Sequence, residues 1–351
     1  MLRIYINQDR QFEVNGKRIW MNGVNTPWHH WEDFGKDYDD SWWDTEFARI
    51  SSAGINSSRV WISCVNSSGV ISIEDSGMIT GIKDQFWSDL DKFFETAKKH
   101  RIYIMATLIS HNHFMFDKHP ETGERINGGY PAAAKWQAML KSKEASESFA
   151  EHYTIPFVKR YGDNPYFWSI DLCNEMDQVF EEPGKGQVPW ENIQYWVAYN
   201  ASAIHKNSKV LVTFGLTMPK YNSDRRKEGN QVSDARLQAQ YPDEDAYIDF
   251  WSPHYYDWCG QWFGIMPNET PQKQGLDISK PAVIGECPAK GIDTNGFNPV
   301  KDYENAFNNG WQGVLAWTSN GVDINGSLKE VSSATKNMLE KHPKLVFPFF
   351  E

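Results

Sequence analysis

Eight short apolar runs, separated by helical and loop patterns, place the strongest constraint on how this chain folds. They are 18–25 (RIWMNGVN), 56–61 (NSSRVW), 101–108 (RIYIMATL), 168–175 (WSIDLCNE), 209–215 (KVLVTFG), 247–254 (YIDFWSPH), 281–286 (PAVIGE) and 313–317 (GVLAW). Apolar runs of this length, bounded by turn residues, suit buried strands. Helices are expected at 42–53, 84–100, 146–161, 191–206, 300–309 and 327–341. In 84–100 the residues Phe86, Leu90, Phe93, Phe94 and Ala97 recur at helical spacing. Eight such alternations predict a (β/α)8 TIM barrel formed by one catalytic domain, 1–351. An open doubly wound sheet is the alternative, but no G-x-G-x-x-G follows the first run and there is no P-loop. Ahead of the barrel, Leu2, Ile4, Ile6, Phe12 and Val14 alternate with polar residues and Asn15-Gly16 interrupts them. That pair is the strongest short hairpin signal, so a small hairpin capping one end is expected. The charged stretch 224–245 is expected outside the barrel as a loop and helix.

The ends of these runs carry the chemistry. The fourth run closes on Asn174 and Glu175, and the seventh closes on Glu286. Ligands of parallel α/β folds bind at the carboxyl ends of the strands. Two glutamates at two such ends suggest a carboxylate pair for acid–base or nucleophilic work. Either one alone would more often be solvated or salt-bridged. Arg59 lies inside the second run, where a cation is costly to bury without a carboxylate. Glu286 is the expected partner. A residue so paired stays ionised and suits a nucleophile, which leaves Glu175 as acid/base. The first run empties into Asn25 and then Trp28, His29, His30 and Trp31. That loop suits a sugar subsite, or else packs its indoles down and leaves its imidazoles in solvent. The third run empties into His111, His113 and Phe114.

Composition narrows the partner. Lys and Arg number 35 against 46 Asp and Glu, a net charge of −11. Such a chain offers no electrostatic footprint for nucleic acid or an anionic membrane. No apolar run approaches the ~18 residues of a membrane span. Sixteen tryptophans point toward carbohydrate, because indole faces pack on the C–H faces of pyranose rings; a large aromatic core is the competing explanation. Cys64, Cys173, Cys259 and Cys287 show neither C-x-x-C nor Cys/His spacing, so no metal site or disulfide framework is expected. They read as small apolar filler. No cofactor is called for. The first residues, MLRIYINQDRQ, lack the apolar core of a signal peptide.

Taken in order, these strand ends resemble glycoside hydrolase family 5, in the clan of retaining (β/α)8 glycosidases. The stretches that carry the likeness are MNGVNTPW (21–28), SSRVWIS (57–63), GMITGI (77–82), HYYDW (254–258) and AWTSNGVD (316–323). The likeness is nearest to invertebrate endo-β-1,4-mannanases. It implies Glu175 as acid/base and Glu286 as nucleophile. Asn174 would bond the 2-hydroxyl of the sugar at −1, and Arg59 and Tyr256 would hold Glu286 ionised and aimed. His254 would bond near the acid/base, and Trp317 would floor the −1 subsite. Asn25, Trp28, His111 and Trp258 complete the candidate sugar-binding set. One departure stands out: Met176 follows Asn-Glu where the family commonly has proline. The implied substrate is β-mannan, glucomannan or galactomannan. An endo-β-1,4-glucanase using the same two glutamates is the alternative, followed by a noncatalytic carbohydrate-binding barrel and a metal-dependent hydrolase. A polymer is met outside cells, so a secreted protein is expected, with its leader absent from this chain, acting as a monomer.

Overall fold

The computed structural model describes residues 3–349. Six parallel strands form one curled sheet. In barrel order they are strand one (Met21–Asn25), two (Ser57–Trp61), three (Tyr103–Ser110), four (Phe167–Asn174), five (Leu211–Thr213) and eight (Gly313–Trp317). Strand eight pairs directly with strand one, register Leu315 to Gly23. Gly23 is needed there, because a Cβ would meet the Leu315 side chain at 2.1 Å.

The sixth and seventh expected strands close the ring with single bridges rather than ladders. Trp251 pairs with Ala282, His254 with Glu286, and Ile284 with Val314. Asp249 N–H donates to Val212 O at 2.9 Å, tying strand five to this segment. Pro253, Pro281 and Pro288 explain the difference, since each removes the N–H that a ladder needs. The eight-stranded barrel is therefore present, with one wall held by fewer bonds. The expected helices are present as Asp40–Ser52, Asp84–His100, Trp190–Asn207, Pro299–Asn308 and Leu328–Lys341. The helix expected at 146–161 starts earlier, at Lys143, and carries a π turn at Ala150–Thr154 before Ile155–Tyr161. Pro156 supplies a cause, because it cannot donate to the preceding turn. The charged stretch holds one short helix, Asp234–Gln240.

The N-terminal segment forms a three-stranded antiparallel sheet, Ile4–Ile6, Phe12–Val14 and Lys17–Arg18. Asn15 and Gly16 turn it with φ of 50° and 76°, as a type I′ turn requires. Leu2, counted in its alternation, lies outside the described residues. This sheet plugs the amino end of the barrel. Ile4, Phe12 and Val14 pack with Met21, Met105, Trp168, Leu211, Phe250, Val283 and Leu315, all fully or almost fully buried. Phe12 meets Trp168 and Phe250 edge-on, with centroids 5.2 and 5.3 Å apart. One end is thus sealed with apolar side chains, and the polar strand ends gather at the other. A second hairpin, Ile71–Ile73 with Ile79–Ile82, was not expected; it turns at Gly77, whose φ is 87°.

Candidate active site

Arg59 sits at the centre of the carboxyl-end network and is fully buried. Its Nη1 donates to Glu286 Oε1 at 2.7 Å and to Asn25 Oδ1 at 2.9 Å. Its Nη2 donates to Asp171 Oδ2 and to Asn174 Oδ1, both at 2.7 Å, and Nε reaches Asp171 at 3.0 Å. The expected pairing with Glu286 is present, and sequence reading missed the second carboxylate. Asp171 lies within strand four and is wholly buried. Its signal was an acid set among apolar neighbours in WSIDLCNE. Its other oxygen accepts from Gly215 N–H at 2.9 Å. Two carboxylates flank one guanidinium, which holds the barrel interior together at a site where a lone charge would be costly.

Glu286 accepts from Arg59 on one oxygen and from the Tyr256 hydroxyl on the other, at 2.8 Å. His254 Nδ1 stands 3.0 Å from Glu175 Oε1 and 3.6 Å from Glu286 Oε1. An oxygen of each glutamate and a ring nitrogen of His254 all lie within 4.8 Å of one another. This trio has the residue types of a metal site. Its donors are already spoken for: Arg59 and Tyr256 cap Glu286, and Gln178 Nε2 bonds Glu175 Oε2 at 2.6 Å. The arrangement suits a carboxylate pair held by cationic and neutral donors better than one awaiting an ion.

The three groups titrate as a unit. Burial opposes charge on His254, but the Glu286 charge and the bond to Glu175 outweigh it and raise its pKa. Burial also pushes Glu175 up, yet the His254 bond and charge, His111 and Arg59 bring it down to about 2. Glu286 is raised, first by burial and further by the charge of Glu175, against the pull of His254 and Arg59. These directions favour charge on both sides of the 3.0 Å bond, imidazolium on His254 and carboxylate on Glu175.

The remaining candidates divide into two groups. Asn174 gives its oxygen to Arg59, which turns its amide N–H groups free for a ligand. His111 Nε2 lies 3.7 Å from Glu175 Oε2, and burial followed by the charge of Lys185 lowers its pKa to about 3. It is the third-strand residue that faces the site. His113 instead bridges Ser63 Oγ, at 3.0 Å, to the backbone of Ser110, and Phe114 is core. Asn25 corrects differently. It is fully buried, and its amide donates to Gly285 O and Leu315 O while its oxygen holds Arg59, so it supports the arginine and cannot reach a sugar. Arg59, with no exposed surface, likewise acts through Glu286.

Trp317 donates its indole N–H to Asp323 at 2.8 Å and joins Trp28, Trp31 and Trp61 in one aromatic wall. Trp28 sits 4.6 Å from Trp31, 5.0 Å from Trp61 and 5.9 Å from Trp317. Trp61, which ends strand two, was not singled out in the sequence, although an indole at a strand's carboxyl end was the available signal. The indoles of the 28–31 loop pack inward. His29 turns away and stacks on Trp42 at 4.3 Å, so the His pair is no part of the site. Trp258 meets the 43 % exposed Trp262 edge-on at 5.9 Å, on the loop after strand six. The four cysteines are buried free thiols.

No family model matches the chain. The chain is 24% identical over 345 residues to a mannan endo-1,4-beta-mannosidase of Mytilus edulis, covering 90% of this chain and 88% of that protein. Its fold matches a beta-1,4-mannanase from the sea hare Aplysia kurodai with TM-score 0.78 at 22% identity, over 98% of both chains. It matches a glycoside hydrolase family 5 mannosidase from Rhizomucor miehei with TM-score 0.57 at 14% identity, over 99% of this chain and 100% of that one. The (β/α)8 barrel is therefore shared with both matched structures, and the chain resembles mannan endo-1,4-beta-mannosidases in sequence and glycoside hydrolase family 5 enzymes in fold.

Proposed function

We propose that this protein is a retaining endo-β-1,4-mannanase that cleaves internal bonds of mannan, glucomannan or galactomannan by double displacement. The observation that carries the mechanism is the closeness of Glu175 and Glu286, with oxygens within 4.8 Å. Retaining glycosidases hold their carboxyl groups about 5–5.5 Å apart, and inverting ones about 6.5–9.5 Å to admit a water. The likeness to mannanases over 90% of the chain supports the substrate.

Glu286, whose carboxylate is held by hydrogen bonds from Arg59 and Tyr256, attacks the anomeric carbon and forms an ester. The glycosidic C–O bond breaks, and Glu175 gives its proton to the leaving oxygen. That proton reaches Glu175 by a hop along the 3.0 Å bond from His254. Once Glu286 is an ester, its charge no longer weighs on its neighbours; Glu175 as carboxylate takes a proton from water as the water oxygen bonds the anomeric carbon, the ester C–O bond breaks to free the Glu286 carboxylate, and the proton passes back to His254. Asn174, its oxygen fixed by Arg59, donates to the 2-hydroxyl, and the indole of Trp317 carries the sugar ring. His111, Trp28 and Trp258 line the approaches. One domain suffices for this chemistry. No helix of the described residues is long and apolar enough to cross a membrane. A polymeric substrate is consistent with secretion, and the chain is expected to act as a monomer.

The test is reducing-end release from galactomannan beside carboxymethylcellulose, with Glu286→Ala as control. Release from galactomannan, abolished in Glu286→Ala while polymer binding persists, is expected. Release mainly from carboxymethylcellulose makes the protein a glucanase. Release from neither leaves a carbohydrate-binding barrel.

A further inference from the structure

Behind Glu175 lies a chain of polar contacts that the roles above do not use. Glu175 has φ of 56°, so the backbone turns sharply as strand four ends, and Gln178 N–H folds back to Glu175 O at 3.1 Å. The Gln178 side chain thereby returns to the carboxyl, Nε2 to Oε2 at 2.6 Å, and also reaches Thr217 Oγ1 at 3.0 Å. An amide can present either its oxygen or its NH2 to a neighbour. Lys185 removes that freedom. The residue is only 5% exposed, and its ammonium donates to Gln178 Oε1 and pairs with Glu182 at 2.9 Å. An ammonium has no acceptor, so the amide oxygen must face it. The segment that builds these contacts begins at Met176, where the resembled family commonly has proline.

We propose that Gln178 is a positioning residue for Glu175, its amide turned by Lys185 so that NH2 rather than oxygen meets the carboxyl. A donor at Oε2 fixes the carboxyl plane and leaves Oε1 to share the proton with His254. It also favours the charged form, which Glu175 needs as base in the second half of the reaction. The assignment rests on Glu175 being the acid/base.

Other charged and titratable groups face Glu175 from every side: His254, Tyr256 and Cys259 after strand six, His111 after strand three, Arg59 on strand two, Glu286 on strand seven and Asp177 beside it. None of them contacts the Gln178 amide by hydrogen bond among the described residues; the charge of Lys185 also lowers His111, so Lys185→Met is read against a Gln178→Met background.

The experiment compares wild type with the near-isosteric Gln178→Met, with Lys185→Met, and with the double variant Gln178→Met/Lys185→Met. Two readouts are taken: the pH–rate profile of kcat/KM on an aryl β-mannobioside, and the protonation of 13C-labelled Glu175 carboxyl followed by NMR from pH 8 downward. Loss of one hydrogen bond to a charged group corresponds to a midpoint about one pH unit higher. Gln178→Met and Lys185→Met are expected to move the onset of Glu175 protonation and the alkaline limb of the profile upward together. Lys185→Met is expected to add much less to Gln178→Met than it does to wild type. Unchanged titration in both methionine variants overturns the proposal. A Lys185→Met shift just as large in the Gln178→Met background overturns it too, since Lys185 would then act independently of the Gln178 amide. A wild type inactive on mannans would refute the proposed substrate, and the NMR titration would still decide the relay.

Discussion

At the scale of single residues, the site is a problem of where one proton sits among three buried groups. Glu175, His254 and Glu286 lie within 4.8 Å, and Arg59 adds a fixed positive charge shared with Asp171. The two glutamates have different neighbours: Glu286 has a guanidinium and a phenol, Glu175 an imidazole and an amide. In the proposed mechanism these surroundings separate nucleophile from acid/base. Glu175→Ala should then lower kcat on mannan by about 10²–10⁴, but spare much of the first step on an aryl mannobioside with a good leaving group. Azide should restore the second step, with a β-glycosyl azide as product. An azide-insensitive Glu175→Ala would remove Glu175 from the acid/base role. The two glutamates and their arginine were legible because polar residues ending apolar runs are hard to explain as packing. Asp171 was not, because an acid in mid-strand looks the same whether it faces solvent or a buried arginine. Gln178 and Lys185 were hidden for another reason: only the left-handed turn at Glu175 brings them back to it.

At the scale of elements, what matters is which end of the barrel each strand end faces. The amino-terminal sheet seals one end with Phe12 between Trp168 and Phe250, while the Glu175–Glu286 pair occupies the other. Phe12→Ala should cost about 3–5 kcal/mol in denaturant unfolding by leaving a cavity, with kcat at 25 °C unchanged. A fall in kcat without loss of stability would mean that the two ends are coupled. Gly215 shows the opposite case near the site, since a Cβ there would lie 2.6 Å from His254 Nε2 and 3.1 Å from Asp171 Oδ2. The Asn15-Gly16 turn and the helix Asp84–His100 were fully legible, as both are governed by local conformation and periodicity. Strands six and seven were legible in place but not in form. Their apolar pattern marks burial, while Pro253, Pro281 and Pro288 decide how many ladder bonds form.

At the scale of the whole molecule, buried carboxylates set the range of pH in which the fold is strongest. Burial raises Asp177 to about 7, with help from the charge of Glu175, and raises Asp33 and Asp302 to about 6. Groups raised in the folded state contribute stability that is complete below their unfolded pKa and is lost as pH climbs through the folded value. Glu175 acts in the other direction: its contribution is present above its unfolded pKa and is lost as pH falls toward about 2. Thermal unfolding should therefore show highest stability in mildly acidic solution, with a decline from pH 5 to pH 8 that is shallower in Asp177→Asn. A parallel decline in wild type and variant would contradict that assignment. The 16 tryptophans also belong to this scale. Eight are core, Trp20, Trp43, Trp136, Trp168, Trp190, Trp196, Trp251 and Trp311, and a smaller set forms the wall around Trp317. Composition alone could not separate those two uses, because indoles serve packing and sugar stacking equally well.

The most direct test of two glutamates acting by double displacement on mannan is a 1H NMR time course of mannohexaose digestion. It reads the anomeric configuration of the first products before mutarotation. Internal cleavage giving β-configured reducing ends first is the expected result. Products that appear first as the α-anomer would require an inverting water between the carboxylates and contradict the mechanism, and an uncleaved hexaose would contradict the substrate.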